Sequence, residues 1–346
     1  MSSEEITKID IWPDLPETMT TIRDTLIDSY HLVNPGDANP LGILHGGHLM
    51  DWMVNAGTLT SSRIVKGEVV LAFLDDVFFV RPVHVGEMVR LRAWVEYVGK
   101  TSLEVGVLAE AGKNSQNFQT TTLSYMVFVA VSPRGEPREV PVKVEPGKDR
   151  DMYEAAEARW LERRKKIMDR KRKAEEVSPL APDSQWKATS YRIVLSSDTV
   201  YGNYMFGGRL LKILDELSDV VASRFAQGVV VTGNVDNMSF YWPMRVGDIV
   251  EITTALNYVG KTSMEIGIKV ISEDPYTGRR HHATTSYYTF IHLGPDARPC
   301  PVQNYIPSTD DEKVRWEEGR QRSEQRKKRL EEVKDIIEKG VFRTPN

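Results

Sequence analysis

ILHGGHLMDW, residues 43–52, places two adjacent glycines and a histidine directly before an apolar run. The glycine pair returns 161 positions later in YMFGGRLLKILDEL, residues 204–217, where the apolar run contains Asp215. Apolar residues after each pair cover most of the circumference of a helix, which is typical of a buried helix. The sequence therefore predicts two buried helices that begin alike and differ at Asp215, where the first copy has Val54.

The repeat extends beyond the glycines. YVGKTS at 97–102 aligns with an identical YVGKTS at 258–263, and a proline and a Val-Gly pair ahead of each motif align as well. Two copies of a long unit indicate a tandem duplication rather than a solenoid. Because 346 residues are also many for one core, we predict two domains, at 20–145 and at 186–305.

Stretches typical of β-strands follow each predicted helix, with valine, phenylalanine and alternating polarity. They lie at 69–80, 87–98 and 102–110 in the first copy and at 229–241, 248–259 and 263–272 in the second. The simplest architecture for this order is an antiparallel sheet curled around one central helix, formed twice. The predicted fold class is therefore α+β.

Two highly charged segments lie outside the repeat. We predict a charged helical linker at 146–185 and a charged C-terminal helix at 306–346, both exposed, because each contains a long stretch that is dense in charge and free of proline. The basic run at 163–166 is compatible with contact to RNA. Interleaved glutamates, and a second helix of the same character, favour a structural role instead.

Composition restricts the possible functions. The net charge of −4 gives no overall reason to expect nucleic acid or an anionic membrane as a partner. The single cysteine, Cys300, excludes an internal disulfide and a cysteine-based zinc cluster. No apolar run approaches about 18 residues, and the first thirty residues are too acidic and too interrupted by proline for a signal peptide. We expect a cytoplasmic protein without a metal site.

With these features the chain resembles the hotdog-fold acyl-CoA thioesterases, specifically the type with two hotdog domains in one chain. The resemblance is carried by DANPLGILHGG and DTVYGNYMFGG before the helices, by FFVRPVHVGE and FYWPMRVGD, and by the VGKTS turns. It implies hydrolysis of acyl-CoA to a free carboxylic acid and coenzyme A, with no cofactor beyond the coenzyme A of the substrate. It also implies a homo-oligomer, either a trimer of tandem chains or a dimer.

The glycine pair at Gly46 and Gly47 suits an anionic ligand atom. The first amides of a helix have no partner within it, glycine leaves them uncovered, and the helix dipole adds partial positive charge. The oxygen of a thioester carbonyl becomes negative as a tetrahedral intermediate forms, so we expect these amides to stabilise it. Tight packing of the helix is the alternative explanation for the glycines.

Asp215 lies on an apolar helix between Leu214 and Leu217, where an unpaired carboxylate is costly. A solvated stripe shared with Lys212 and Asp219 is the alternative. The valine at the matching position of the first copy argues against that stripe, because it indicates an enclosed site. We therefore predict that Asp215 has a chemical role.

Geometry indicates which glycines Asp215 serves. It lies seven residues beyond Gly208, or about 10 Å along the helix, too far to share a carbonyl with its own glycine amides. A base and an oxyanion site must both lie within about 3 Å of the reacting atoms. If the copies face each other about an approximate twofold axis, Asp215 meets the carbonyl held at residues 45–47. The predicted site lies between the two copies.

The resemblance supplies roles for further residues. In related thioesterases the aspartate acts as base or nucleophile across the domain interface, and a serine or threonine on a following strand holds the attacking water. The matching residue here is Thr232. His45 either polarises the carbonyl or steers the substrate, or it is a structural hydrogen-bonding residue.

The resemblance and the chemistry of coenzyme A also predict binding residues. Its pyrophosphate and 3′-phosphate need cations and hydrogen-bond donors, which the two GKTS turns and one nearby asparagine can supply. The predicted residues are Lys100, Thr101, Ser102, Lys261, Thr262, Ser263 and Asn203. A common origin of the two copies explains the repeated turn without any ligand.

The chain departs from the family just before the glycines. Many members carry asparagine or aspartate there, where this sequence has Ile43 and Tyr204. Asn203 lies one residue away, and Asn39 is the other candidate. Two alternative functions remain open: a non-catalytic acyl-CoA-binding regulator, and a hotdog hydratase acting on acyl thioesters, which uses a differently arranged histidine and acid.

Overall fold

The computed structural model describes residues 19–114, 117–167, 170–177, 180–181, 183–338 and 344–345. Most of the stretch considered for a signal peptide, parts of the predicted linker and the end of the predicted C-terminal helix lie outside these residues. Over the described part of the chain, no helix is long and apolar enough to cross a membrane.

Five α-helices occur in the described residues, two of them central and three charged. They are α1 (Gly46–Val65), α2 (Arg150–Ile167), α3 (Arg170–Ala174), α4 (Gly207–Ala226) and α5 (Asp310–Glu338). Short 3₁₀ turns lie at Arg23–Thr25, Pro35–Asp37 and Ser196–Asp198. The central helices α1 and α4 begin at the two glycine pairs.

The strands fall into a first group from the half of the chain that contains α1 and a second group from the half that contains α4. The first group is β1 (Met19–Thr21), β2 (Ile27–Leu32), β3 (Val69–Leu74), β4 (Val77–Phe78), β5 (Met88–Val98), β6 (Ser102–Gly112), β7 (Gln119–Ala130) and β8 (Lys143–Glu145). The second group is β9 (Lys187–Ile193), β10 (Val229–Val235), β11 (Met238–Ser239), β12 (Ile249–Val259), β13 (Ser263–Glu273) and β14 (Arg280–Leu293).

Two six-stranded antiparallel sheets result, with orders β11-β3-β7-β6-β5-β2 and β4-β10-β14-β13-β12-β9. Strands β1 and β8 form a separate parallel pair. Each large sheet packs its apolar side chains around one central helix in a common core. The predicted α+β fold, with two curled sheets each around a helix, is confirmed.

The two halves exchange a strand. After Asp75 and Asp76 the chain leaves its own sheet, and β4 pairs with β10 of the second half through Phe78 and Asn234. The equivalent β11 pairs with β3 of the first half. Each sheet is therefore completed by the other half of the chain.

The two central helices pack against each other near their glycine pairs. A methyl group on Gly47 would lie 2.9 Å from Cα of Lys212, and one on Gly208 would lie 3.0 Å from Cα of Asp51. Both glycines therefore allow an approach of the backbones that alanine would obstruct. Because the two contacts are equivalent, the start of each helix lies beside the second turn of the other helix.

The charged helices are packed against the sheets. On α2, Arg159 and Arg163 both reach Glu104, which is fully buried on β6. Arg163 also pairs with Asp75 at 2.5 Å. Because a buried carboxylate is costly unless it is paired, these contacts fix α2 to the first sheet. The expectation that the charged segments are simply exposed was wrong for these arginines. The ion pairs of Arg163, the first residue of the basic run, favour a structural role for this residue over RNA contact.

The helix α5 repeats this arrangement on the second sheet. Arg322 and Arg326 pair with Glu265, which aligns with Glu104 after the VGKTS motif. The guanidinium of Arg322 lies 3.7 Å from the centre of the Tyr287 ring. Burial tends to raise the pKa of Glu265, but the two arginines outweigh it and hold this pKa below its usual range.

Candidate active site

Asp215 meets the glycine turn of the other half. Its side chain is fully buried on α4. The N–H of Gly47 donates to Asp215 Oδ2 at 2.6 Å, and the hydroxyl of Thr232 on β10 donates to Oδ1 at 2.8 Å. The structure therefore brings together the acid, the glycine turn and the threonine that the sequence placed in one site.

His45 lies between two aspartates. Its Nδ1 is 2.8 Å from Asp215 Oδ2, and its Nε2 is 3.3 Å from Asp219 Oδ2. Burial lowers the pKa of His45, but the contacts and charges of Asp215 and Asp219 outweigh it and raise the pKa to about 10. At neutral pH the ring is therefore an imidazolium beside the Asp215 carboxylate.

Sequence reasoning missed the contribution of Asp219, because its spacing from Lys212 fits a solvated stripe. Its Oδ1 accepts the Ser223 hydroxyl at 2.5 Å, while Oδ2 contacts His45. The signal available in the sequence was its counterpart in the first copy, Thr58, which is neutral like the valine that replaces Asp215.

The glycines serve both packing and hydrogen bonding. A methyl group on Gly46 would lie 2.6 Å from the Thr232 hydroxyl oxygen. The Gly47 amide is engaged by Asp215, so it positions the carboxylate in this structure. Gly46 is the first residue of α1 and lies on the cavity wall, and its amide has no partner within the helix.

A cavity of about 470 Å³ opens beside these groups. His45, Gly46 and Thr232 lie on its inner wall, and it runs between Phe78–Pro82 and β10. It then passes Thr262 and Ser263 and reaches α5. This volume suits an elongated ligand that has one end at the buried carboxylate.

The predicted coenzyme A residues divide between the two turns. In the second turn Thr262 and Ser263 line the cavity, whereas Lys261 is exposed and is not one of its lining residues. The residues of the first turn lie away from it: Lys100 is exposed and pairs with Glu139 at 3.2 Å, and the Ser102 hydroxyl accepts the Trp160 indole N–H at 3.1 Å. Trp160 covers the first turn and gives it a structural role.

The structure also shows where the two asparagines near the glycine turns lie. Asn39 lies on the cavity wall, but its Oδ1 accepts the N–H groups of Leu41 and Ile43 and so shapes the turn. Asn203 is outside the cavity lining, and its backbone carbonyl accepts the Val246 N–H at 3.1 Å.

The mirror site is closed and apolar. Asp215, Thr232 and His45 have the counterparts Val54, Leu71 and Phe206. Leu71 packs against Gly207, and the remaining cavity there is only about 30 Å³. The carboxyl, hydroxyl and imidazole groups therefore occur at one of the two pseudo-symmetric sites, and apolar side chains take their positions at the other.

Within the described residues, no group of three or more histidine, cysteine, aspartate or glutamate side chains is arranged to hold a metal ion. The charges at the candidate site are instead those of Asp215, His45 and Asp219.

The comparisons with known proteins define the family. The family model described as thioesterase superfamily matches residues 41–116 and 202–278, one segment in each half. The chain is 35% identical over 136 residues to the uncharacterized acyl-CoA thioester hydrolase YkhA of Bacillus subtilis, covering 39% of this chain and 79% of that protein. The chain belongs to the thioesterase superfamily.

Relatives that match both halves are also known. The cytosolic acyl coenzyme A thioester hydrolase of Mus musculus is 29% identical over 315 residues, covering 84% of this chain and 80% of that protein. Among solved structures, an acyl-CoA hydrolase from Staphylococcus aureus in complex with butyryl coenzyme A, coenzyme A and coenzyme A disulfide is similar. It has 32% identity and a TM-score of 0.43, and the match covers 45% of this chain and 96% of that one.

Proposed function

We propose that this protein is an acyl-CoA thioesterase that hydrolyses acyl-CoA to a free carboxylic acid and coenzyme A. The observation that carries the proposal is the fully buried Asp215, held by Gly47 and Thr232 directly behind the cavity wall that His45, Gly46 and Thr232 form. The acyl-CoA hydrolases among its relatives support the choice of substrate.

In the proposed mechanism Asp215 is the general base. It takes one proton from a water molecule, and the water oxygen attacks the carbonyl carbon of the thioester. The carbonyl oxygen becomes negative and accepts the Gly46 N–H at the positive end of α1. The carbon–sulfur bond then breaks, and the leaving thiolate receives the proton held by Asp215. The products are the free acid and the thiol of coenzyme A.

The geometry favours general-base chemistry over direct attack by Asp215. One oxygen accepts the Gly47 N–H and contacts His45, and the other accepts the Thr232 hydroxyl. A nucleophilic carboxylate oxygen would have to leave such contacts to reach the carbon. Thr232 orients the water and the carboxylate together, and the His45 imidazolium offsets the carboxylate charge.

The proposed reaction uses no metal and no cofactor beyond the coenzyme A of the substrate, because Asp215 and water account for every proton and bond. Activity unchanged after chelation with EDTA is the expected result, and loss of activity that added metal restores would contradict it.

The proposal extends to location and assembly. We place the protein in the cytoplasm, with support from the relatives named cytosolic. A homo-oligomer, as a trimer of tandem chains or a dimer, stays a prediction that light scattering can test. Covering of the sheets by α2 and α5 leaves less of each sheet for such contacts.

The decisive experiment measures thiol release from a panel of acyl-CoAs. The wild-type chain is expected to release thiol catalytically, and Asp215→Asn to reduce kcat at least about a hundredfold. Val54→Ala changes the equivalent residue of the mirror site and is expected to keep nearly full activity. Wild-type turnover in the purified Asp215→Asn variant would refute the assignment. Stoichiometric binding without release by the wild type would indicate the acyl-CoA-binding regulator instead.

A further inference from the structure

One face of α5 forms the outer wall of the candidate cavity. Ser323, Lys327, Leu330 and Lys334 all line it, and their spacing of four, three and four residues places them on one side of a helix. The helix lies beyond both segments that match the family model, which end at residue 278. This part of the cavity is therefore contributed by the accessory helix and not by the hotdog units.

Ion pairs fix α5 over the junction of the two halves. Arg326 is buried and pairs with Asp236 of the second half at 3.1 Å. One turn later, Arg329 pairs with Asp76 of the first half and lies 3.8 Å from Asp236. Because these carboxylates come from both halves, the cavity-lining face of α5 has a defined position relative to the reaction centre.

The two ends of the cavity differ in chemistry. The inner end is lined by His45, Gly46 and Thr232, and the adjoining wall includes apolar residues such as Val231 and Ile291. Asp215 is buried behind this end, in contact with His45 and Thr232. Lys327 and Lys334 are exposed, so they stand at the open end. The hydroxyl-bearing Thr262 and Ser263 line the same cavity.

An acyl-CoA has the matching distribution of chemistry. The thioester and pantetheine are uncharged, whereas the far end carries a pyrophosphate and a separate 3′-phosphate. Two ammonium groups seven residues apart on a helix are separated by about 10 Å along its axis, which allows contact with two different phosphate groups. Neutral thioesters without a nucleotide would gain nothing from these lysines.

We propose that α5 binds the phosphorylated end of coenzyme A through Lys327 and Lys334, with Thr262 and Ser263 as hydroxyl partners. The inference rests on the proposed function, because that function sets the orientation of the substrate, with the thioester at Asp215. It makes the accessory helix a determinant of specificity, selecting thioesters that carry the nucleotide over thioesters that lack it.

The test uses the full-length Lys327→Glu/Lys334→Glu variant, with Lys328→Glu as the matched control. Lys328 is an exposed neighbour on the same helix that does not line the cavity. Steady-state kinetics compare an acyl-CoA with the corresponding acyl-N-acetylcysteamine thioester. The double variant is expected to raise KM for acyl-CoA at least tenfold, with kcat changed less than twofold and the truncated thioester unaffected. The control is expected to behave as wild type.

Calorimetric titration with coenzyme A separates this inference from the proposed hydrolysis. A Kd weakened at least tenfold in the double variant, in a protein with wild-type melting behaviour, supports the role of α5 even if no thioester is hydrolysed. Wild-type affinity for coenzyme A in the double variant would overturn the inference. An equal loss of activity toward both thioesters would also overturn it, because phosphate contacts cannot affect a substrate without phosphate.

Discussion

At the scale of the residue, the burial of Asp215 carries a cost that its neighbours must offset. A buried carboxylate without partners is expensive, and here a backbone amide, a hydroxyl and a histidine offset that cost. The same three contacts hold both carboxylate oxygens in place. Stability and chemistry at this position therefore depend on the same groups.

The raised pKa of His45 makes stability depend on pH. The pKa of His45 is about 10 in the folded protein, against an ordinary value of 6.5. Protonation of His45 therefore stabilises the fold fully below about pH 6.5. That contribution is lost as pH rises through about 10. We expect the free energy of unfolding of the wild type to fall by a few kcal/mol between pH 7 and pH 10.

The measurement is urea denaturation at several pH values, with His45→Gln as the comparison. The variant is expected to be less stable at pH 7 and to show a flatter dependence on pH. Parallel curves for the two proteins would mean that His45 does not titrate in this range.

At the scale of the element, the glycine turn is where the two central helices approach each other closely. A methyl group on Gly47 would meet the backbone of α4 at Lys212, which cannot move independently of its helix. Gly47→Ala is expected to lower the free energy of unfolding by about 1–3 kcal/mol through overpacking. It should also lower activity, because it displaces the amide that positions Asp215.

Gly36→Ala is the matched control, since a methyl group there would meet no atom within 4 Å. Denaturant titration of both variants is the measurement. Equal stabilities of the Gly47 and Gly36 variants would show that the helices separate without cost.

Periodicity and the repeat predicted the central helices and long strands such as β5, β6, β12 and β13. The predicted strand stretches at 69–80 and 229–241 include the residues of β4 and β11, but the exchange of these two strands was not predicted, because their partners lie in the other half of the chain. The buried Glu104 and Glu265 explain why the charged helices were misjudged. A helix with many arginines has the composition of a solvated helix. Its sequence alone does not show that those arginines have buried partners on the sheet.

Asp215 and its pairing with the first glycine turn followed from comparing the copies, because the duplication supplies its own reference. Lys327 and Lys334 could not be found in this way. Their sequence context is that of any charged helix, and only the path of α5 across the junction brings them to the cavity.

At the scale of the whole molecule, only one of the two pseudo-symmetric sites has a carboxylate and a histidine. Val54 and Leu71 fill the mirror site, where the counterpart of His45 is Phe206. An acid placed there would lack the histidine and the threonine that Asp215 contacts, because their counterparts are Phe206 and Leu71. Val54→Asp is therefore expected to lower the free energy of unfolding by about 3–5 kcal/mol without adding activity.

Chemical denaturation and the thiol-release assay measure the two parts of this prediction. Unchanged stability, or a doubled kcat per chain, would show that the mirror site accepts a carboxylate as the first site does.

The exchange of β4 and β11 has a consequence for how the enzyme behaves on dilution. In enzymes whose site is shared by separate subunits, activity falls once the protein concentration drops below the dissociation constant of the pair. In the proposed site the covalent connection keeps the two contributing halves at a high effective concentration. We therefore expect the specific activity of each chain to stay constant as the protein is diluted in an assay.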